Sequence, residues 1–206
     1  MDTVLGVTFN DFVIMAADRT QNFGILRLTE DSSKIYNLTT NIAMAITGES
    51  GDVDQFSRFV QCNFELEKFR DDGWEVSLNR AFNWITWELA QDIRSRSPYG
   101  VFPMIGGYDS NEKRAKLYWM DYMGTGVEVN YGAHGYGESF AVGFLDRYHK
   151  KDMPKETAIE VVKGALDAIQ TRLIVGQNRF QMVFVDKDGI HDLPDHVIDR
   201  STCATK

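Results

Sequence analysis

Two short runs constrain the fold of this chain more than any other feature. Val13-Ile14-Met15-Ala16-Ala17 and Ile42-Ala43-Met44-Ala45-Ile46 are each apolar at five consecutive positions. Side chains alternate between the two faces of a strand, so a strand without a polar face must be covered on both sides. Two such strands, with helical patterns elsewhere, require sheets buried between further layers. The first run is preceded by another apolar strand, Val4 to Phe9, across the polar turn Asn10-Asp11.

Helical spacing appears four times. Val53, Phe56, Val60 and Phe64 form one stripe, and Leu78, Phe82, Ile85, Leu89 and Ile93 form a second. Ser77 is the expected N-cap of the second helix, and Ser97-Pro98 its expected end. A third helix is expected from Glu138 to Tyr148. A fourth begins after Asp152-Met153-Pro154 and carries Ile159, Val162, Leu166, Ile169 and Leu173. Strands are expected near Lys34–Tyr36, over Val101–Tyr108, Leu117–Tyr122 and Val127–Tyr131, and over Phe180–Val185 with a return along Ile190–Leu193. The order is strands, two helices, strands, two helices, strands. It specifies an α+β fold with buried sheets, in which two helix pairs can each cap one sheet. No repeat, low-complexity run or linker interrupts it, so residues 1–206 are expected to form a single domain, with about 195–206 as a C-terminal tail.

Charge and cysteines narrow the function classes. With 22 Lys and Arg against 30 Asp and Glu, the net charge is −8. Such a chain is a poor partner for nucleic acid or an anionic membrane. The N-terminus lacks the basic and apolar regions of a signal peptide, and no apolar run is long enough to span a bilayer. Cys62 and Cys203 are expected as free thiols. His134, His149, His191 and His196 lack metal-ligand spacing, and His134, between glycines, is expected in a turn. Gly135-Tyr136-Gly137 lacks the third glycine or the lysine of a phosphate loop. Asp186-Lys187-Asp188-Gly189 lacks the closing glutamate of a calcium loop and reads as a hairpin turn. There is no Gly-x-Ser-x-Gly nucleophile elbow. No cofactor is expected. Trp74, Trp84, Trp87 and Trp119 are expected in the core or in subunit contacts.

The opening hairpin ends in Ala17-Asp18-Arg19. It is followed by Ser33-Lys34-Ile35, Gly48-Glu49-Ser50-Gly51-Asp52, Ile105-Gly106-Gly107-Tyr108-Asp109 and Gly132-Ala133-His134-Gly135-Tyr136-Gly137. Taken together, these segments resemble the beta subunits of the eukaryotic 20S proteasome, a family of N-terminal-nucleophile hydrolases. The likeness runs from Met1 to about Asp195. Pro98-Tyr99, the Tyr131–Tyr136 segment and a start at Met-Asp look most like the non-catalytic beta-4 type of that family. The resemblance implies a four-layer αββα sandwich.

It also implies a site. Active members use an N-terminal threonine as nucleophile, its free amine as base, and a lysine oriented by an aspartate to keep both reactive. Asp18 and Lys34 match that aspartate and lysine as relics, and are expected as a partly buried pair. The nucleophile position holds Asp2, a carboxylate that is a poor attacker, with Met1 ahead of it. Tyr136 stands where the family has a serine, and Leu173 is nearest to a further family aspartate. The implied role is a non-catalytic structural subunit building the beta ring and proteolytic chamber for ubiquitin- and ATP-dependent protein degradation. The implied partners are beta-3 and beta-5 types as ring neighbours, the alpha ring and the opposite beta ring, in cytoplasm and nucleus.

Two competing readings remain at the level of sequence. One is an active hydrolase processed to Thr3; strand alternation opposes it, because a one-residue shift turns Thr3 to the other face. The other is a stand-alone binding module. A further expectation is that Phe23, Ile25 and Leu28 contribute to a pocket shared with an active neighbour.

Overall fold

The computed structural model describes residues 2–23, 26–173 and 177–198. β1 (Val4–Thr8), β2 (Val13–Asp18), β10 (Tyr131–His134), β11 (Arg179–Asp186) and β12 (Gly189–Val197) form one sheet in the order β10-β1-β2-β11-β12. β5 (Ile35–Asn37), β6 (Ile42–Gly48), β7 (Val101–Asp109), β8 (Arg114–Met120) and β9 (Gly126–Val129) form the other in chain order. All neighbours pair antiparallel. α1 (Ser50–Arg70) and α2 (Leu78–Asp92) cover the second sheet, and α3 (Glu138–Tyr148) and α4 (Lys155–Arg172) cover the first. The two sheets pack face to face, giving the expected αββα sandwich.

The period-2 logic is visible in the cores. From β2, Ile14 and Ala16 point into the core beneath α3 and α4, while Val13, Met15 and Ala17 point into the core between the sheets. From β6, Ile42, Met44 and Ile46 point toward α1 and α2, while Ala43 and Ala45 face the other sheet. Both faces are buried, which is why neither run carries a polar residue. Ala17, Ala43, Ala45 and Ala115 make room on the inter-sheet face for Met15, Met104 and Leu117. Gly6 and Gly106 belong to the same face. A Cβ on Gly6 would come within 2.5 Å of Met104 Sδ, and one on Gly106 within 2.8 Å of Val13 Cγ1.

Five expectations are revised. α2 ends at Asp92, before Ser97-Pro98; the Asp92 carboxylate accepts from Tyr99 N at 2.6 Å and draws the chain into a turn. The expected strand Val127–Tyr131 is two strands, β9 in one sheet and β10 in the other. The chain changes sheet at Asn130, whose carbonyl accepts from Thr8 N at 2.8 Å. His134 is not a turn residue but the buried end of β10, paired with Val4. Residues 195–198 are not tail. Asp195 carries Arg19 and Arg179, Ile198 N donates to Asn178 O at 2.8 Å, and Ile198 is buried. Finally, β3 (Gln21–Phe23) and β4 (Leu26–Thr29) pair antiparallel where no strands were expected, because Leu26 and Leu28 are exposed and no buried face imposes a period. Cys62 is an exposed free thiol; Cys203 lies outside the described residues.

Candidate functional site

The site forms where β1 begins. Asp2 and Thr3 precede Val4, which pairs with Ala17, so the start of β1 lies beside the end of β2 at Asp18. The Asp18 N–H donates to Thr3 O at 2.9 Å. Lys34 approaches from the residue before β5. Its ammonium donates to Asp18 O at 2.6 Å and to Thr20 O at 2.5 Å, and forms an ion pair with Asp2 Oδ2 at 3.2 Å. Lys34 is only 5% exposed, so these three oxygens replace nearly all of its water.

The expected Asp18–Lys34 ion pair is therefore corrected. Lys34's carboxylate partner is Asp2, and Asp18 holds Lys34 through its backbone carbonyl. The Asp18 carboxylate turns to Thr20, accepting from Thr20 N at 2.9 Å and Thr20 Oγ1 at 2.5 Å. Burial raises the Asp18 pKa above the ordinary carboxylate value; the nearby Lys34 charge and the Thr20 donors oppose this without cancelling it. Thr20 was missed from sequence, although a hydroxyl two residues after an aspartate is a familiar local partner.

Alternation separates the next two side chains. Asp2 opens onto a cleft of about 440 Å³ that it shares with Ser33, Lys34, Thr47, Gly48 and Val53. Thr3 is 1% exposed and points the other way, where its Oγ1 accepts from Gly137 N at 3.2 Å. The backbone around Asp2 is held from two sides. Thr47 Oγ1 donates to Asp2 O at 3.3 Å. Gly135, at φ +92°, packs so closely that a Cβ there would fall 1.9 Å from Asp2 O. Only glycine satisfies both the backbone angle and that approach.

The remaining family positions sit around this centre. Tyr136 lies on the turn before α3, is 60% exposed, and borders an adjoining pocket rather than the Asp2–Lys34 cleft. Leu173 caps α4 through its N–H to Ile169 O and packs against the core under α3 and α4. Leu28 is 64% exposed on β4. Ile25 and the side chain of Phe23 lie outside the described residues. Among the described residues, no group of three His, Cys, Asp or Glu could hold a metal ion, and no helix is long and apolar enough to cross a membrane.

A sandwich of two antiparallel sheets between helix pairs, with a lysine-centred cleft at the start of its first strand, is the architecture of N-terminal-nucleophile hydrolases. The family model described as "Proteasome subunit" matches residues 1–185, and this chain belongs to that family. Within it, the similarity is to beta subunits of two names. The chain is 36% identical to the proteasome subunit beta type-4 of Saccharomyces cerevisiae over 195 residues, covering 95% of this chain and 98% of that protein. It is 39% identical to the proteasome subunit beta type-2-A of Arabidopsis thaliana over 192 residues, 93% of each chain.

Proposed function

We propose that this chain is a non-catalytic structural beta subunit of the 20S proteasome core particle. The observation that carries the reading is the Asp2–Lys34 ion pair. An N-terminal hydrolase requires a hydroxyl, and beside it an amine, at the cleft that Lys34 serves. Here that position is a carboxylate whose negative charge is satisfied by the same lysine. A carboxylate held by an ammonium attacks no unactivated amide, and the ammonium no longer tunes a nucleophile. The nearest hydroxyl on the strand, Thr3 Oγ1, is buried on the opposite face against Gly137 N. Removal of Met1 and Asp2 therefore exposes an amine at Thr3 without turning its hydroxyl toward Lys34. The names of the similar proteins support its assignment as a proteasome beta subunit.

In this role the chain would help build the beta ring and the wall of the proteolytic chamber in ubiquitin- and ATP-dependent degradation. It would have beta-3 and beta-5 types as neighbours, an alpha ring on one side and the twin beta ring on the other, in cytoplasm and nucleus. Each obligate interface should bury more than ~1,000 Å². The exposed Leu26 and Leu28 on β4 are suited to such a contact.

The test is direct. The purified full-length chain is incubated with fluorogenic peptides and with an electrophilic threonine-directed inhibitor, and its intact mass is recorded. The expected result is no turnover, no adduct and an N-terminus that retains Asp2. Turnover by the chain alone, or an adduct mapped to a chain beginning at Thr3, would restore the processed-hydrolase reading.

A further inference from the structure

A second pocket adjoins the Asp2 cleft and is unused by the reading above. Its walls come from four strands and a helix start. The β6–β7 register places Phe102 opposite Thr47, and the β7–β8 register places Trp119 opposite Met104, two residues further along β7. β10 ends there at His134, and the following turn brings Tyr136 and then Glu138 over the opening. The pocket volume is about 270 Å³, the size for a small ring or a branched side chain rather than an extended ligand.

The walls are rigid. Trp119 Nε1 donates to Ala133 O at 3.1 Å, fixing the indole. His134 stacks on Trp119 with ring centroids 4.8 Å apart, and its Nε2 lies 3.3 Å from Pro103 O. Phe102 packs against the same imidazole at 5.6 Å.

The charge of the lining has one sign. Glu138 is exposed at the rim, and among the described residues its carboxylate has no ion pair or hydrogen bond. Among the described residues, no Lys or Arg lines the pocket. Burial drives the His134 pKa down to about 4, against the pull of the Pro103 and Met120 carbonyls, so the imidazole adds no positive charge at neutral pH. The pocket thus offers aromatic surfaces from Phe102, Trp119 and Tyr136 together with an unpaired carboxylate. Ring faces are negative at their centres, and a cation over them is held by their quadrupoles. A planar delocalised cation also stacks on such faces and pairs with a carboxylate.

We propose that this pocket binds a small planar organic cation of the amidinium or guanidinium type, its plane against the aromatic walls and its charge toward Glu138. The site is separate from the Asp2–Lys34 cleft, although Thr47 and Gly48 border both. The inference needs no catalytic activity and does not depend on the assembly role.

The probe is benzamidine, with uncharged benzamide as its near-isosteric control. Calorimetric titration of the full-length chain should show saturable one-to-one binding of benzamidine, and at least tenfold weaker binding of benzamide. Glu138→Gln removes the charge at an exposed position in the first turn of α3, and should weaken benzamidine at least fivefold while leaving benzamide unchanged. Tyr136→Leu, also exposed, should weaken benzamidine severalfold. Absence of saturable benzamidine binding, equal affinity for the two probes, or no effect of either substitution on benzamidine would overturn the assignment.

Discussion

At the scale of single residues, the site is governed by where Lys34 finds its counter-charge. An ammonium this buried needs a carboxylate or several carbonyls, and here it has both. Replacing Asp2 with Ala leaves Lys34 with its two carbonyl acceptors and only the more distant charge of Asp18. Asp2 remains partly open to water, so the expected loss is about 1–2 kcal/mol rather than the larger cost of breaking a fully buried pair. Urea unfolding of the full-length chain measures it, and an unchanged midpoint would mean the pair contributes nothing. His134 supplies a second test. Its folded pKa, about 4, lies below the ordinary 6.5 because burial disfavours the charged ring. Between those values the unfolded chain binds the proton and the folded chain does not. The neutral ring's contribution to stability is therefore fully present above pH 6.5 and is lost as pH falls toward 4, amounting to about 3 kcal/mol. Asp18, Glu88 and Glu138, with raised pKa values, act in the opposite sense just above their ordinary range. The comparison with His134→Phe isolates the histidine: the fall in stability between pH 7 and pH 4.5 should be much shallower in the variant.

At the scale of elements, the core between the two sheets mixes small and large side chains, and the small positions leave the space that the large ones fill. Gly6 on one side faces Met104 and Leu117, and Gly106 on the other faces Val13 and Met15. Gly6→Ala would force its new methyl against Met104 and Leu117, both fully buried, and should cost about 1–3 kcal/mol through overpacking. Thermal or chemical unfolding decides it; a stabilised variant would show that the inter-sheet core has room to spare. The same scale explains what sequence patterning captured. The doubly buried β2 and β6, and the stripes of α1, α2, α3 and α4, were legible because each pattern reports the local environment of consecutive residues. The split between β9 and β10 was not. Val127 to Tyr131 reads as one extended run, and only the pairing of β10 with β1 draws residues 131–134 into the other sheet. The β3–β4 hairpin was hidden for a different reason. Leu26 and Leu28 are exposed, so no buried face imposes a period on them.

At the scale of the whole molecule, several large apolar residues lie on the surface. Phe69 is 83% exposed, Trp74 79% and Leu28 64%. Scattered exposed apolar residues are ordinary, but large aromatic ones accord with the subunit role proposed above. Leu28→Ser should change the stability of the isolated chain by less than about 0.5 kcal/mol, as surface substitutions do. In the assembled particle it should alter KM or inhibitor affinity at an adjacent active site. Unchanged kinetics at every site would remove the shared-pocket expectation for this hairpin.

The amino-acid order alone determined that two strands are covered on both faces and where the helices lie; the resemblance to proteasome beta subunits implied the four layers and pointed to Asp2 as the position of the missing hydroxyl. Strand cover and helix positions are properties of residue type and near-neighbour spacing. The tertiary structure decided which charges meet. Lys34 pairs with Asp2, 32 positions earlier, instead of Asp18, and Thr3 turns its hydroxyl to Gly137, 134 positions away. Such contacts depend on strand register and on the approach of separate loops, and neither composition nor periodicity carries that information.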